Sequence, residues 1–296
     1  MDETLLAALL PSWKLAMDGN RSDGTIKAYL YAVTTYVEWC EANDRPTVLD
    51  KDTVRAWIAD MLGSGIADAT ARLRQQALKS YAKWLHSEGE IDSNPIESVA
   101  PPKLAVKVTE ALTDEQVAAL IKACKGNTLA DRRDEALVRF MAETGTRAAE
   151  TIAVQLADVD LSARTAIIRK GKGGKGRMVP LSPQCAQAID RYLRLRRRLN
   201  TPADGPLWIG VGGKTFGYYG LDKTLKQRAE KAGIKGFHLH LMRHTAATRW
   251  LRQGGSEGGL MAVAGWSSRA MLDRYTRASA SGRALAEAER LSLGSF

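Results

Sequence analysis

The sequence predicts a mainly α-helical protein of two domains, the second carrying a small antiparallel sheet, on three observations. Apolar residues recur at helical spacing through most of the chain, alternation is confined to residues 165–169 and 177–181, and a proline cluster interrupts the pattern near residue 100. With 296 residues, 45% of them hydrophobic, the chain is long enough to bury two cores. No apolar run reaches the roughly 18 residues of a membrane span, and the start, MDETLLAALLPSWK, has acidic residues where a signal peptide has basic ones. A cytoplasmic protein with no membrane partner is therefore expected. Cys40, Cys124 and Cys185 are far apart and form no CxxC pair, so they read as buried thiols in a reducing compartment.

Taken in order, residues 5–17 form the first predicted helix, stopped by Asp18-Gly19-Asn20. A second helix, capped by Ser22 or Asp23, puts Thr25, Tyr29, Val33, Tyr36, Val37 and Cys40 on one face. The third spans 52–62, with Val54, Trp57, Ile58 and Met61 inward and Gly63-Ser64-Gly65 after it. The fourth spans 68–86; Leu73, Ala77, Tyr81, Trp84 and Leu85 are expected in the core, which leaves Arg72, Arg74, Lys79 and Lys83 for solvent or phosphate. Asn94-Pro95-Ile96 and Pro101-Pro102-Lys103 then break the helical period, because proline lacks a donor and pushes its predecessor toward extended backbone. The predicted organisation is a helical domain over 1–100, a linker over 101–108 and a second domain over 109–296.

The second domain opens with a capping box, Thr113 to Gln116, and a helix reaching about Lys125. Another helix over 132–144 ends at Gly145, and Thr146-Arg147 starts the next. Arg147 thus stands at a helix N-terminus, a place that favours anions, or else is an ordinary surface arginine. The two alternating stretches flank Gly171-Lys172-Gly173-Gly174-Lys175-Gly176, a hairpin tip carrying two lysines. Its glycines satisfy G-x-G-x-x-G, but a strand follows where a dinucleotide site needs a helix. Gly213-Lys214-Thr215 mimics the end of a P-loop, yet Trp208 stands where the first glycine belongs, so no nucleotide site is predicted. A helix over 183–199 with Arg191, Arg194, Arg196, Arg197 and Arg198 is expected to present a basic surface, and one more helix spans 219–231.

A formal net charge of +10 and a pI near 9.6 point to a polyanionic partner. The surplus is uneven. Residues 1–104 hold 11 Lys+Arg against 15 Asp+Glu, a balance of −4, and the remainder holds 32 against 18, or +14.

The stretch richest in reactive side chains is HLHLMRHTAATRWLRQGGSEGGLMAVAGWSSRAMLDRY, residues 238–275. On a helix beginning near His240, Arg243 lies at i+3 and His244 at i+4, so His240 and Arg243 share a face. The two histidines also have the spacing of a metal pair, but Leu241 stands where HExxH needs its glutamate and no cysteine is close, so no metal site is predicted. Gly254-Gly255 ends that helix, Gly265 closes the following turn, and Ser267 or Ser268 caps a helix ending at Tyr275. Judged from its neighbours Met271 and Leu272, Tyr275 is most simply a packed core residue.

Four of these segments, TGTRAAE around Arg147, GKGGKGRMVPL around Lys172, HLMRH from His240 and GW…Y from Trp266 to Tyr275, resemble in order and separation the signature boxes of the tyrosine recombinases, also called phage integrases. The N-terminal helices, with Thr-Ile-Lys-Ala-Tyr and Tyr-Ala-Lys-Trp-Leu, are similar to that family's four-helix core-binding, SAM-like DNA-binding domain. The resemblance implies a mixed α+β catalytic domain after it. Only about 20 residues precede the N-terminal pattern, so the simple two-domain type without an arm-binding domain is expected.

Residue by residue, the resemblance implies a catalytic set of Arg147, Lys172, His240, Arg243, Trp266 and Tyr275, with Glu150 and His244 supporting it. Two guanidinium forks suit the paired nonbridging oxygens of an attacked phosphodiester. Trp266, where many members have histidine, can donate only through its indole N–H. Tyr275 would be the nucleophile, His240 its proton acceptor, and Lys172 the acid for the leaving 5′ oxygen; Lys175 is the rival at the same tip. Arg72, Arg74, Lys79, Lys83, Lys175 and Arg177 are expected to contact DNA outside the reacting phosphate.

The resemblance further implies a site-specific recombinase or integrase of a mobile element, encoded by a bacterium or phage and associated with the nucleoid. It would act through a 3′-phosphotyrosyl link that needs neither metal nor ATP. Its substrate would be double-stranded DNA with paired inverted half-sites, bound by a homotetramer built from a monomeric or weakly associated free chain and directed by an accessory factor. A C-terminal helix over 284–293 would dock on a neighbouring protomer. Relaxation of DNA in the manner of a type IB topoisomerase, or noncatalytic DNA binding on the same fold, are the alternative functions.

Overall fold

Contacts divide the chain into two units, Met1–Lys107 and Val108–Phe296, each with its own hydrophobic cluster. The computed structural model describes residues 5–104, 110–169, 176–199, 202, 204–269, 271–272 and 288–289. Among them, no helix is long and apolar enough to cross a membrane.

The first unit is helical. A single helix was expected over 5–17; instead α1 (Leu5–Ala8) and α2 (Leu10–Met17) are separated at Leu9, because Pro11 falls in the first turn of α2, where its missing N–H is tolerated. Then come α3 (Asp23–Ala42), whose first turn is capped by the Ser22 hydroxyl, and α4 (Lys51–Gly63), capped by Asp50, which accepts from the amides of Asp52 and Thr53. The last is α5 (Asp68–Ser87). The core between them is rich in aromatic rings: Trp13 lies 4.7 Å from Tyr81, and Tyr36 meets Trp57 edge-on at 5.1 Å, centroid to centroid. Both phenol groups are buried but bonded. Tyr36 donates to Val48 O at 2.6 Å and Tyr81 to Leu6 O at 2.7 Å, which fastens the approach to α4 onto α3 and α1 onto α5.

On α5 the buried face runs through Ala71, Gln75, Leu78, Ala82 and Leu85, so Leu73, expected in the core, is exposed instead. One shifted position suffices, since neighbouring residues are about 100° apart around a helix. The proline-broken segment after α5 packs back onto it. Ile96 and Val99 are buried, and Gln75, 1% exposed, donates to Val99 O and Ala100 O at 3.0 and 3.1 Å.

The second unit begins with α6 (Asp114–Ala123), where Thr113 and Gln116 form the expected capping box, and α7 (Leu129–Thr144), where Thr128 and Asp131 form another. After α8 (Ala148–Ala153) come β1 (Val159–Asp160), β2 (Thr165–Ile168) and β3 (Arg177–Pro180), antiparallel in the order β1-β2-β3. The register pairs Ile168 with Arg177 and Thr165 with Pro180; Ala166, Ile168 and Val179 point into the core while Ile167 and Met178 face out. Only two residues long, β1 is too short to show alternation and was not expected. The remaining helices are α9 (Pro183–Arg196), α10 (Tyr218–Lys231), α11 (Leu239–Arg252) and α12 (Glu257–Ala264).

The central element is α7, packed between α9 and α11 with Ala136, Leu137, Val138 and Phe140 fully enclosed. Even its charged residues are buried. Arg133 pairs with Asp134 and lies 4.0 Å over the Phe216 ring, while Arg228 from α10 binds Asp131 and Asp134 at 2.8 Å. The basic surface expected of α9 is only partial: Arg196 is 4% exposed and donates to Pro206 O, Arg191 pairs with Glu135, and Arg197 and Arg198 face outward. Long aliphatic stems let such residues sit on a packed face that periodicity alone assigns to solvent. Of the helix expected to end at Tyr275, residues 269, 271 and 272 are described and helical, while 270 and 273–275 lie outside the described residues; of the one over 284–293 only 288–289 are described.

Gln75→Leu would leave the Val99 and Ala100 carbonyls without their buried donor, so a loss of roughly 1–3 kcal/mol is expected. Urea unfolding of the full chain, followed by tryptophan fluorescence, checks it; an unchanged midpoint would show that the segment after α5 is held without the Gln75 bonds, by Ile96, Val99 and the bond from Lys79 to Glu97 O.

Candidate active site

Gly145 ends α7 in the left-handed region, φ 59°, and a Cβ there would stand 3.3 Å from the Ala246 Cβ of α11. The bare backbone lets α7 close against α11, and the Gly145 carbonyl accepts from Arg243 Nη1 at 2.6 Å. Next to it, Thr146 is fully buried, its hydroxyl bonded to those of Thr144 at 3.1 Å and Thr151 at 2.9 Å. Thr151 Oγ1 in turn donates to Arg147 O. The turn from α7 to α8 is therefore clamped on both sides of Arg147.

Arg147 is the N-cap residue of α8. Its backbone N–H donates to Glu150 Oε2 at 2.9 Å and its Nη1 to Glu150 Oε1 at 2.7 Å, so one carboxylate closes the helix start and orients the guanidinium. Arg177 Nη2 reaches the same carboxylate at 2.7 Å from β3. Burial by itself pushes the Glu150 carboxyl up, but hydrogen bonds from the Arg177 side chain and from the backbone and side chain of Arg147 outweigh it and hold the group below its usual value. Glu150 is 5% exposed, whereas the Arg147 side chain remains 25% exposed.

On α11, His240 is exposed, Arg243 is 3% exposed one turn on, and His244 is half-buried. Burial, then the neighbouring His240, holds His244 below its usual pKa, which keeps it neutral near pH 7. Gly265, again left-handed, ends α12 and delivers Trp266, whose ring lies 5.2 Å from the Arg243 guanidinium carbon. The indole is 7% exposed and packs with Leu251, Leu260 and Leu272, so it is both a core residue and a platform for Arg243.

Of the predicted set, Arg147, Glu150, Arg243 and Trp266 are tied into one constellation around Gly145, with His240 and His244 on the same helix as Arg243. Lys172, Lys175 and Tyr275 lie outside the described residues. Arg177, expected at the DNA, turns inward to Glu150 and also donates to Val263 O at 2.6 Å. Of the four basic residues on α5, Arg72 and Lys83 are exposed, Lys79 donates to Glu97 O at 2.8 Å, and Arg74 packs 5.5 Å from the Tyr31 ring centroid. The Gly145 carbonyl and the three threonine hydroxyls escaped the sequence reading, since a glycine and threonines near a helix end carry no distinctive signal.

Two segments of the chain match family models: residues 110–281 match the phage integrase family, and residues 13–89 match the phage integrase N-terminal SAM-like domain. The chain belongs to the phage integrase family, the tyrosine recombinases, and is an enzyme of that class with the family's two-domain architecture. It is 29% identical over 235 residues to tyrosine recombinase XerC of Chlamydia trachomatis serovar L2, covering 79% of this chain and 74% of that one. It is 27% identical over 270 residues to XerC of Roseiflexus sp., covering 88% and 86%. Its fold is similar to that of XerH site-specific recombinase bound to palindromic difH substrate, with a TM-score of 0.75 at 18% identity over 95% of this chain and 84% of that chain.

Because the folded-state pKa of Glu150 is depressed, its contribution to stability is full above the ordinary glutamate value of about 4.3 and is lost as pH falls through the folded value. Removing one partner of a buried ion pair costs roughly 3–5 kcal/mol, so Glu150→Ala is expected to unfold at lower denaturant at pH 7. The gap to wild type should narrow below about pH 4. A gap independent of pH would show that Glu150 matters for its packing and not for its charge.

Proposed function

We propose that this chain is a site-specific DNA recombinase whose Tyr275 cuts a strand at a phosphodiester held by Arg147 and Arg243. The observation that carries it is the Arg243–Gly145 bond, which joins residues 98 positions apart and sets one arginine beside the turn that bears the other. Fixed donors of this kind stabilise the charge that develops on nonbridging oxygens during attack, and they need no reorganisation when it forms. His240, exposed one turn before Arg243, is the proton acceptor for the tyrosine, whose unperturbed pKa of about 10 requires one.

In this reading the Tyr275 oxygen forms a bond to phosphorus, the bond from phosphorus to the 5′ oxygen breaks, and Lys172 gives that oxygen its proton. The products are a 3′-phosphotyrosyl enzyme and a free 5′ hydroxyl. A 5′ hydroxyl from a partner strand reverses the step on new DNA. Bond energy is kept in the protein–DNA link, so ATP is not needed. Trp266 braces Arg243 and presents its indole edge to the phosphate, and a homotetramer on paired inverted half-sites supplies the strands that exchange.

The test is covalent trapping on a nicked duplex. Wild type should form an adduct resistant to denaturant, Tyr275→Phe none, and Arg243→Lys should be slower by about 10²–10³, the usual effect of losing one preorganised donor. Equal behaviour of wild type and Tyr275→Phe would remove the tyrosine from the mechanism. Relaxation of supercoiled plasmid without strand exchange would identify a topoisomerase-like activity, and salt-sensitive binding without any adduct a noncatalytic DNA-binding protein.

A further inference from the structure

Arg177 begins β3, at the base of the hairpin, and its side chain is only 10% exposed. The two donors of one guanidinium edge are divided between two acceptors: Nη2 donates to Glu150 Oε2 at 2.7 Å and Nε to Val263 O at 2.6 Å. Val263 is in the last turn of α12, whose carbonyls lack partners within the helix, so Arg177 supplies a missing donor. The guanidinium also packs directly on the turn that follows: a Cβ on Gly265, where φ is +66°, would stand 2.8 Å from Arg177 Nη1. Trp266 comes next, with its ring against Arg243. A single side chain therefore touches the carboxylate that orients Arg147 and the turn that carries the platform for Arg243.

We propose that Arg177 is a positioning residue for strand cleavage, joining Glu150 to the end of α12 so that the Arg147 fork and the Arg243–Trp266 pair keep one geometry, without itself touching DNA. The proposal rests on the cleavage function put forward above. A phosphate contact would turn its donors outward, whereas here both ends of the fork are engaged inside the unit. An arginine is needed because a lysine ammonium is a point donor and cannot serve Glu150 and Val263 O with the same fork.

The experiment uses the full chain and a duplex that wild type selects from a randomised pool, remade with a nick so that the covalent adduct accumulates. Arg177→Met, Arg177→Lys, Glu150→Gln and the double variant Arg177→Met/Glu150→Gln are compared under single turnover at saturating protein. Arg177→Met should slow adduct formation by roughly 100-fold, the scale of an ångström-sized misplacement of catalytic groups. Affinity and its salt slope should stay unchanged, and the effect should not add to that of Glu150→Gln. Loss of a phosphate contact would instead weaken binding and reduce the salt slope by about 1.

A second readout separates positioning from simple destabilisation. Glu150 faces Arg147 from α8 and Arg177 from β3, so without Arg177 its carboxyl rises and the acid limb of the cleavage rate moves to higher pH. In the Glu150→Gln background no such movement should occur. Should Arg177→Met fail to fold, Arg177→Lys decides by the same limb. A slowed rate with an unmoved acid limb, or a normal rate with weakened, less salt-dependent binding, overturns the proposal. Adduct formation by Arg177→Met at the wild-type rate overturns it alone, and absence of adduct from wild type brings down the cleavage function together with it.

Discussion

A carboxylate taken out of water loses several kcal/mol of solvation, and Glu150, 5% exposed, keeps its charge only through the arginines that flank it. That requirement shapes much of the second unit. Arg147 has to be the residue that starts α8, because only there do its amide and its guanidinium both reach the carboxylate. Arg177 has to enter from β3, so the base of the hairpin must lie against α8, with Ile168 as its partner in the ladder. Val263 then completes the Arg177 fork and draws in the end of α12, which brings Trp266 to Arg243. Five elements meet around one buried charge and the Gly145 carbonyl.

The unit contains a second buried ionic cluster, and the contrast is informative. Arg133, Asp134, Asp131 and Arg228 bind one another, and Arg133 also donates to Ile209 O and Arg228 to Ala123 O. The Arg133 and Asp134 side chains are 5% and 2% exposed and those of Arg228 and Asp131 16% and 19%, so this cluster is buried at its centre and acts on the packing of α7 and α10. At Glu150 the carboxylate is equally buried, but the Arg147 side chain retains a quarter of its surface. Ion pairs of the same chemistry thus differ in how much guanidinium they leave at the surface, and a guanidinium with five donors can be anchored by one edge and still present the rest.

How much of this could be read from the sequence depended on whether the signal was local. The helices were legible from their period and their caps, Thr113 with Gln116 above all, and Arg147, His240, Arg243 and Trp266 stood in recognisable boxes whose order carried the information that folding later realises. What escaped was direction. Arg177 and Arg196 are indistinguishable in sequence from solvated basic residues, yet both turn inward, because the acceptors that hold them, Glu150, Val263 O and Pro206 O, come from distant parts of the chain. Leu73 was misplaced by the phase of a single helix, and the break at Leu9 was hidden in a proline that also fits a helix start. Backbone carbonyls such as that of Gly145 leave no trace in composition, so the support of Arg243 was not predictable at all.

Charge placement limits how the two units can share the work of holding DNA. Residues 1–104 carry a balance of −4, and of the basic side chains on α5 Lys79 is bonded to Glu97 O and Arg74 lies against Tyr31, so Arg72 and Lys83 are the exposed ones. Arg72, Lys79 and Lys83 are spaced by seven and four positions and share one side of the helix, while Arg74 lies on another. Two or three positive groups release few counterions, and long-range attraction for DNA scales with the number of phosphates neutralised. In the proposed function the salt-dependent part of binding therefore belongs to the residues after 104, with their balance of +14, and the first unit contributes through shape and directed hydrogen bonds from the exposed side of α5.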